Sequence, residues 1–197
     1  VEGGDAFVTA EARAMLKEDA GIVVLRQITP LVSTLDGQLR TTINIDPAKQ
    51  SFSVKLTGGP SDQGTAKEIK VLIREYGDKV QFVGIADESG CVEDPNGIDH
   101  QELLRLVGAS TTIADFDKTK LSAAGHLHLA TTADGIKARN SMPHRVKSDV
   151  YIPAGNVSGS SIDVNNYRRF VQADGSPSSA LIIEPFGTST YVSPEAR

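Results

Sequence analysis

Ser51 to Gly90 reads SFSVKLTGGPSDQGTAKEIKVLIREYGDKVQFVGIADESG. Phe52, Val54 and Leu56 alternate with Ser53 and Lys55, the two-residue period of a strand. Thr57-Gly58-Gly59-Pro60 stops it. Ile69, Val71, Leu72 and Ile73 follow at mixed helical spacing, and Gly77-Asp78 ends that helix. Val80, Phe82, Val83 and Ile85 form a second, more continuously apolar strand, with Asp87 where it should end. The order is strand, glycine-rich turn, helix, strand, acid. A βαβ unit of this kind sets a helix N-terminus at the tip of the first strand, where backbone N–H groups and the helix dipole suit a phosphate. An acid at the end of the second strand is placed to accept hydrogen bonds from a ribose.

The glycines agree only in part. Such a loop needs glycines for the tight turn, for close approach of a pyrophosphate and for helix–strand packing. Gly58, Gly59 and Gly64 are present, but their spacing is not the strict one. Asp62 stands where an anion would have to come close. An uncompensated carboxylate about 4 Å from a phosphate costs about 1 kcal/mol per charge pair in water, and more in a drier site.

Outward from this unit, the 197 residues suffice for a domain with a real core. Apolar residues are 39% and charged residues 23%, as in ordinary globular proteins. The net charge of −5 argues against a nucleic-acid surface, and the absence of Trp argues against a base-stacking platform. No apolar run reaches the length of a membrane span. Cys91 is the only cysteine, so there is no disulfide frame and no cysteine-based zinc site. The chain begins at Val1, which fits a processed form or a fragment.

Before the βαβ unit, Thr9 caps an expected helix through Lys17, and Ile22 to Leu25 suggest a strand. Asp36-Gly37 lies between Val32–Leu35 and Leu39–Ile43, a hairpin signal. After it, Asp99 caps an expected helix to Val107, with Glu102 at the capping-box position. Residues 109–136 read as polar and irregular, with apolar pieces such as Leu127-His128-Leu129. A short helix is expected over Ile136–Asn140, stopped or kinked at Pro143. Val150–Ile152 reads as a third strand, Tyr167 to Val171 as a short helix and Ala180–Glu184 as a fourth, parallel-type strand. Ser193-Pro194-Glu195 looks like a helix start.

Several segments then carry a resemblance: Ile45-Asp46-Pro47 with FSVKLTGGP, the run EIKVLIREYGDKVQFVGIADESGCVEDPNGIDHQELLRL, then GIKARN, DVYIPAG, PSSALIIE and VSPEAR. In this order, over about residues 45–197, they resemble the dinucleotide-binding domain of the large NAD-specific glutamate dehydrogenases. The resemblance implies an α/β fold: a Rossmann-like, mostly parallel sheet flanked by helices over 45–197. Residues 1–44 are expected to form a small helix/hairpin extension. It also implies a site for NAD facing a separate substrate domain, which in that family carries the substrate-holding lysines and the catalytic aspartate.

The family's loop GGPDGDVAGNE is here Gly58-Gly59-Pro60-Ser61-Asp62-Gln63-Gly64-Thr65-Ala66-Lys67-Glu68. Its PAGGRP is Pro153-Ala154-Gly155-Asn156-Val157-Ser158, and its EGAN is replaced by Glu184-Pro185-Phe186-Gly187. Scaffold segments are kept while cofactor segments are altered. The expectation is therefore a non-catalytic structural or accessory subunit, a pseudoenzyme within a larger assembly, with no cofactor. The alternatives are the NAD-binding part of a split or fragmentary dehydrogenase, or a nucleotide sensor. Partners are expected to be protein subunits docking on residues 1–44 and the domain surface, in the mitochondrial matrix or otherwise the cytoplasm.

The candidate cofactor residues are Gly58, Gly59, Gly64, Asp87 and Ser89. Each has a plainer reading. The glycines suit any strand-to-helix turn, and Asp87 can cap the turn that follows it. Lys67 could offset Asp62. His126 and His128 alternate on an extended piece, but no Cys, Asp or Glu stands at metal-ligand spacing along the chain, so they read as surface or packing residues. His100 and His144 have no visible acid or nucleophile partner. Cys91 reads as a small loop residue. No catalytic residue and no metal site are expected.

Overall fold

The computed structural model describes residues 32, 34–155, 162 and 165–183. The readings made for residues 1–31 and for the tail from Glu184 lie outside them.

Residues 34–42 are a helix, α1, and not the expected hairpin. The Asp36-Gly37 turn signal lost to the helical period: Leu35 and Leu39 both lie fully buried on one face, with Val32 and Ile43 packed beside them. Thr41 Oγ1 donates to Gly37 O at 2.8 Å, and Arg40 pairs with Asp36 at 3.2 Å, both at i,i+4 spacing. Gly37 is exposed, and a Cβ there would meet nothing within 4 Å.

The βαβ unit forms as read: β1 (Phe52–Thr57), α2 (Gln63–Tyr76) and β2 (Val80–Asp87). β3 (Gly90–Glu93), α3 (His100–Ala109), β4 (His126–Leu129), α4 (Ala133–Arg145), β5 (Ser148–Pro153) and β6 (Ser179–Ile182) complete it. The sheet runs β4-β3-β2-β1-β5-β6. The four strands β2, β1, β5 and β6 are parallel, while β3 and β4 add an antiparallel ribbon on the β2 side. β4 was read as an extended piece within a polar stretch and β3 as loop, because strands of four residues are too short to show a clear alternating pattern.

One face of the sheet carries the main core, where Phe52, Val54, Leu56, Phe82 and Ile85 pack with Ile69 and Leu72 of α2 and Leu103 and Leu106 of α3. Phe52 also meets the Tyr76 ring edge-on at 5.1 Å, and Tyr76 Oη donates to Val32 O at 3.1 Å, which ties α1 to this layer. On the other face α4 packs through Met142 against Ala86 and Cys91. α4 is longer than the helix expected over Ile136–Asn140 and runs past Pro143, which falls in its last turn beside the buried Met142. The short helix expected from Tyr167 is a single 3-10 turn over Tyr167–Phe170, and Phe170 stacks on Tyr151.

Two ionisable groups lie inside. Lys55, fully buried in mid-strand, donates to Val146 O at 2.6 Å, to Ser178 Oγ at 3.1 Å and to Ser178 O at 3.3 Å. Its ammonium lies 5.4 Å from the Tyr151 ring centroid. It thereby joins β1, the end of α4 and the approach to β6; desolvation lowers its pKa to about 7. Glu68 of α2 is 2% exposed, and its Oε2 has no hydrogen-bond partner among the described residues. Burial, reinforced by the Asp62 charge, pushes it up to about 8.

Two outcomes follow from these contacts. Gly37→Ala should raise stability by about 0.5–1 kcal/mol, as for a glycine inside an exposed helix, and Leu39→Ala should lower it by about 2–5 kcal/mol. Urea unfolding measures both, and a loss of stability in Gly37→Ala would restore the hairpin. Between about pH 4.5 and 8 folded Glu68 keeps a proton that the unfolded chain has lost. Its contribution to stability therefore falls as pH rises through that window. Glu68→Gln should match the wild type near pH 4.5 and exceed it above pH 8, by on the order of a few kcal/mol. A difference in melting temperature that does not change with pH would overturn this.

Candidate functional site

The sheet reverses its order at β1, which has β2 on one side and β5 on the other. In open α/β sheets ligands bind at such a switch point, outside the carboxyl ends of the strands. The candidate residues gather there.

β1 leads into Gly58, whose φ of +93° is a left-handed conformation that side chains rarely adopt. Gly58 N–H donates to Ala86 O at 2.8 Å, and Ala154 N–H donates to Thr57 O at 3.1 Å. The loops after β1 and β5 are thus held against each other and against β2. A Cβ on Gly58 would stand 2.3 Å from Thr65 Oγ1, and one on Gly155 would stand 2.2 Å from Gly58 Cα. The two loops meet backbone to backbone. The role of Gly155 as partner of Gly58 was hidden in the Pro153-Ala154-Gly155 signal, because nothing along the chain shows which loop the glycine faces.

Asp62 is the N-cap of α2. Its Oδ1 accepts from Thr65 N–H at 2.9 Å and from Thr65 Oγ1 at 3.3 Å. The acid that stood in the way of a phosphate is held within its own first turn, by Thr65 rather than by Lys67. Gly64 sits half-buried in that turn.

Asp87 ends β2 as expected, but its carboxylate turns inward. Oδ1 accepts from Ser89 N–H at 2.8 Å and from Ser89 Oγ at 2.5 Å, and Oδ2 accepts from Ile113 N–H at 2.8 Å. Asp87 is 1% exposed and packs so closely on Gly59 that a Cβ there would stand 2.2 Å from Oδ2. Ser89 Oγ in turn accepts from Ala114 N–H at 3.0 Å. Gly59, Asp87 and Ser89 therefore form one contiguous cluster with the Ile113–Asp115 turn. Sequence reading missed that turn's part in the cluster, since 26 positions separate Asp87 from Ile113.

Cys91 lies buried in β3, not in a loop, and its Sγ–H donates to Glu93 Oε1 at 3.4 Å. Burial, with the Glu93 charge beside it, raises its thiol well above the ordinary range. It stays protonated and unreactive.

The architecture can be compared with known proteins. The family model described as Glutamate/Leucine/Phenylalanine/Valine dehydrogenase matches residues 55–183. A probable NAD-specific glutamate dehydrogenase of Schizosaccharomyces pombe is 29% identical over 163 residues, covering 77% of this chain and 14% of that protein. The NAD-specific glutamate dehydrogenase of Neurospora crassa is 29% identical over 168 residues, covering 79% of this chain and 15% of that protein. The chain thus spans about one seventh of the length of these curated relatives. The solved structure of Plasmodium falciparum glutamate dehydrogenase aligns with a TM-score of 0.50 at 15% identity, over 81% of this chain and 29% of that one. At that identity the likeness is one of fold. The family match begins inside β1 and ends just past β6, so it contains nearly the whole sheet. The chain belongs to the Glutamate/Leucine/Phenylalanine/Valine dehydrogenase family.

Proposed function

We propose that the described domain is the nucleotide-binding part of a glutamate-dehydrogenase-type oxidoreductase, holding NAD(H) at the β1–β5 switch point. The observation that carries this reading is the backbone-to-backbone meeting of Gly58 and Gly155. It brings the backbone of these two glycines to the carboxyl ends of two central strands, where a pyrophosphate would approach, while Thr65 and Asp87 fill the space beside Gly58 and Gly59. The names of the fungal relatives, which specify NAD and glutamate, support the same choice of ligand and substrate.

The residues fit the cofactor unevenly. The backbones of Gly58, Gly59 and Gly64, beside the α2 N-terminus, would line the pyrophosphate. When bound, NAD supplies the hydride acceptor for oxidation of an amino acid. The domain's own work is to place and orient it. Asp87 does not fit a ribose, because its oxygens are engaged by Ser89 and Ile113 and it is buried. A hydrogen bond to the ribose would have to come from another group.

That mismatch, with the Asp62 charge at the helix N-terminus, favours a second reading. Here the domain keeps the fold but binds no cofactor, and serves as a non-catalytic accessory subunit among protein partners.

Titration with NAD and NADH, by calorimetry, separates the two. Saturable binding is expected. Asp62→Asn keeps an equivalent N-cap and removes the charge, so it should tighten binding about fivefold, the equivalent of ~1 kcal/mol, with little change in melting temperature. Gly64→Asp adds an acid to the first turn, which suits the helix dipole but repels a pyrophosphate. It should weaken binding by a similar factor without loss of stability. No binding at millimolar ligand by either the wild type or Asp62→Asn would leave the accessory reading.

A further inference from the structure

The β3–β4 ribbon brings together side chains that lie far apart in sequence. Its antiparallel register sets Glu93 opposite His126 and Cys91 opposite His128. Directly opposed residues share a face, with Cβ atoms about 4.5–5.5 Å apart. His126 and His128, two apart on one strand, project to that same face. Their ring centroids are 5.7 Å apart at an interplanar angle of 30°. Two imidazoles bound to one tetrahedral metal at about 2.0–2.1 Å per nitrogen would hold their centroids roughly 5 Å apart. The observed pair is thus already near chelating separation. No hydrogen bond to a described residue engages either ring.

The two rings and Glu93 line one groove of about 430 Å³ against α4, where Asp134, Lys137 and Arg145 form the far wall. Glu93 is 7% exposed and is held by Arg145, whose Nη1 donates to Oε2 at 2.7 Å and whose Nη2 donates to Oε1. The two acids and two bases offset each other, so the groove does not select an anion. Imidazoles with a carboxylate select a borderline transition metal.

We propose that this groove is a site for a divalent transition-metal ion of the Zn²⁺ class, with His126 and His128 as first ligands and Glu93 as the third. Among the described residues no three such side chains yet converge on one point. Binding therefore requires Glu93, which accepts from Arg145 and from the Cys91 thiol, to exchange Arg145 for the metal. The ion would cross-link β4, at the edge of the described sheet, to β3 beneath α4. The inference is independent of nucleotide binding.

The test is calorimetry and thermal shift of the untagged, metal-stripped full chain with ZnCl₂ and NiCl₂. Saturable binding below about 100 µM and a rise in melting temperature are expected. His126→Gln and His128→Gln should each weaken binding at least tenfold, while His100→Gln and His144→Gln leave it unchanged. Glu93→Gln should weaken it several-fold, and Arg145→Gln, which frees Glu93, should tighten it. Circular dichroism without metal verifies that each variant folds. Absence of saturable binding up to about 1 mM, or binding indifferent to both histidine substitutions, would overturn the proposal. Wild-type affinity in Glu93→Gln would overturn the third ligand.

Discussion

The Asp87 carboxylate holds the carboxyl end of the sheet together. It ends β2, lies against Gly59 of the first loop, and accepts hydrogen bonds from Ser89 and from Ile113, 26 residues on. Bonds to an ionised acceptor are worth about 1.5–3 kcal/mol each, and a buried carboxylate without them would be strongly unfavourable. The conformations of the β1–α2 loop, the β2–β3 turn and the Ile113–Asp115 turn are therefore one coupled arrangement. Gly59 is glycine because the acid occupies the space a side chain would need.

The same device recurs. Asp94, fully buried, accepts from Asn96 N–H, Ser122 N–H and Ser122 Oγ. Glu102, on α3, accepts from Asp117 N–H at 2.7 Å while paired with Arg105. These acids fix the polar stretch between α3 and β4, which has little apolar content beyond Ile113 and Phe116 to anchor it. The stretch looked irregular because its order comes from side-chain oxygens meeting backbone N–H groups, which leave no periodic trace. Lys55 plays the converse part on the α4 face, with its donors placed on carbonyl and hydroxyl oxygens.

For function, the consequence is a divided crevice. Its glycine loops meet backbone to backbone, while its strand-end acid is committed to holding loops. Any affinity for a dinucleotide would rest on backbone N–H groups and the helix dipole more than on a carboxylate–ribose contact.

The βαβ unit was legible because Phe52, Val54, Leu56 and then Val80, Phe82, Ile85 carry local periodicity, and because glycine and proline punctuate it. The cap Asp99 acts within three residues of itself and was read from the chain alone, whereas Asp62, read only as an obstacle to an anion, is seen to cap α2 in the structure. α1 was misread because an Asp-Gly pair signals a turn, whereas Leu35 and Leu39 find a core to bury in only once α2 and β1 are in place. The sequence by itself determined the local geometry: strand, glycine turn, capped helix, strand. Only the tertiary structure decided which way Asp87 faces, that Gly155 meets Gly58, and that Glu93 stands across from His126. The physical reason is common to all three. Each is a contact between segments whose separation along the chain carries no information about their separation in space, and strand register and loop closure set it.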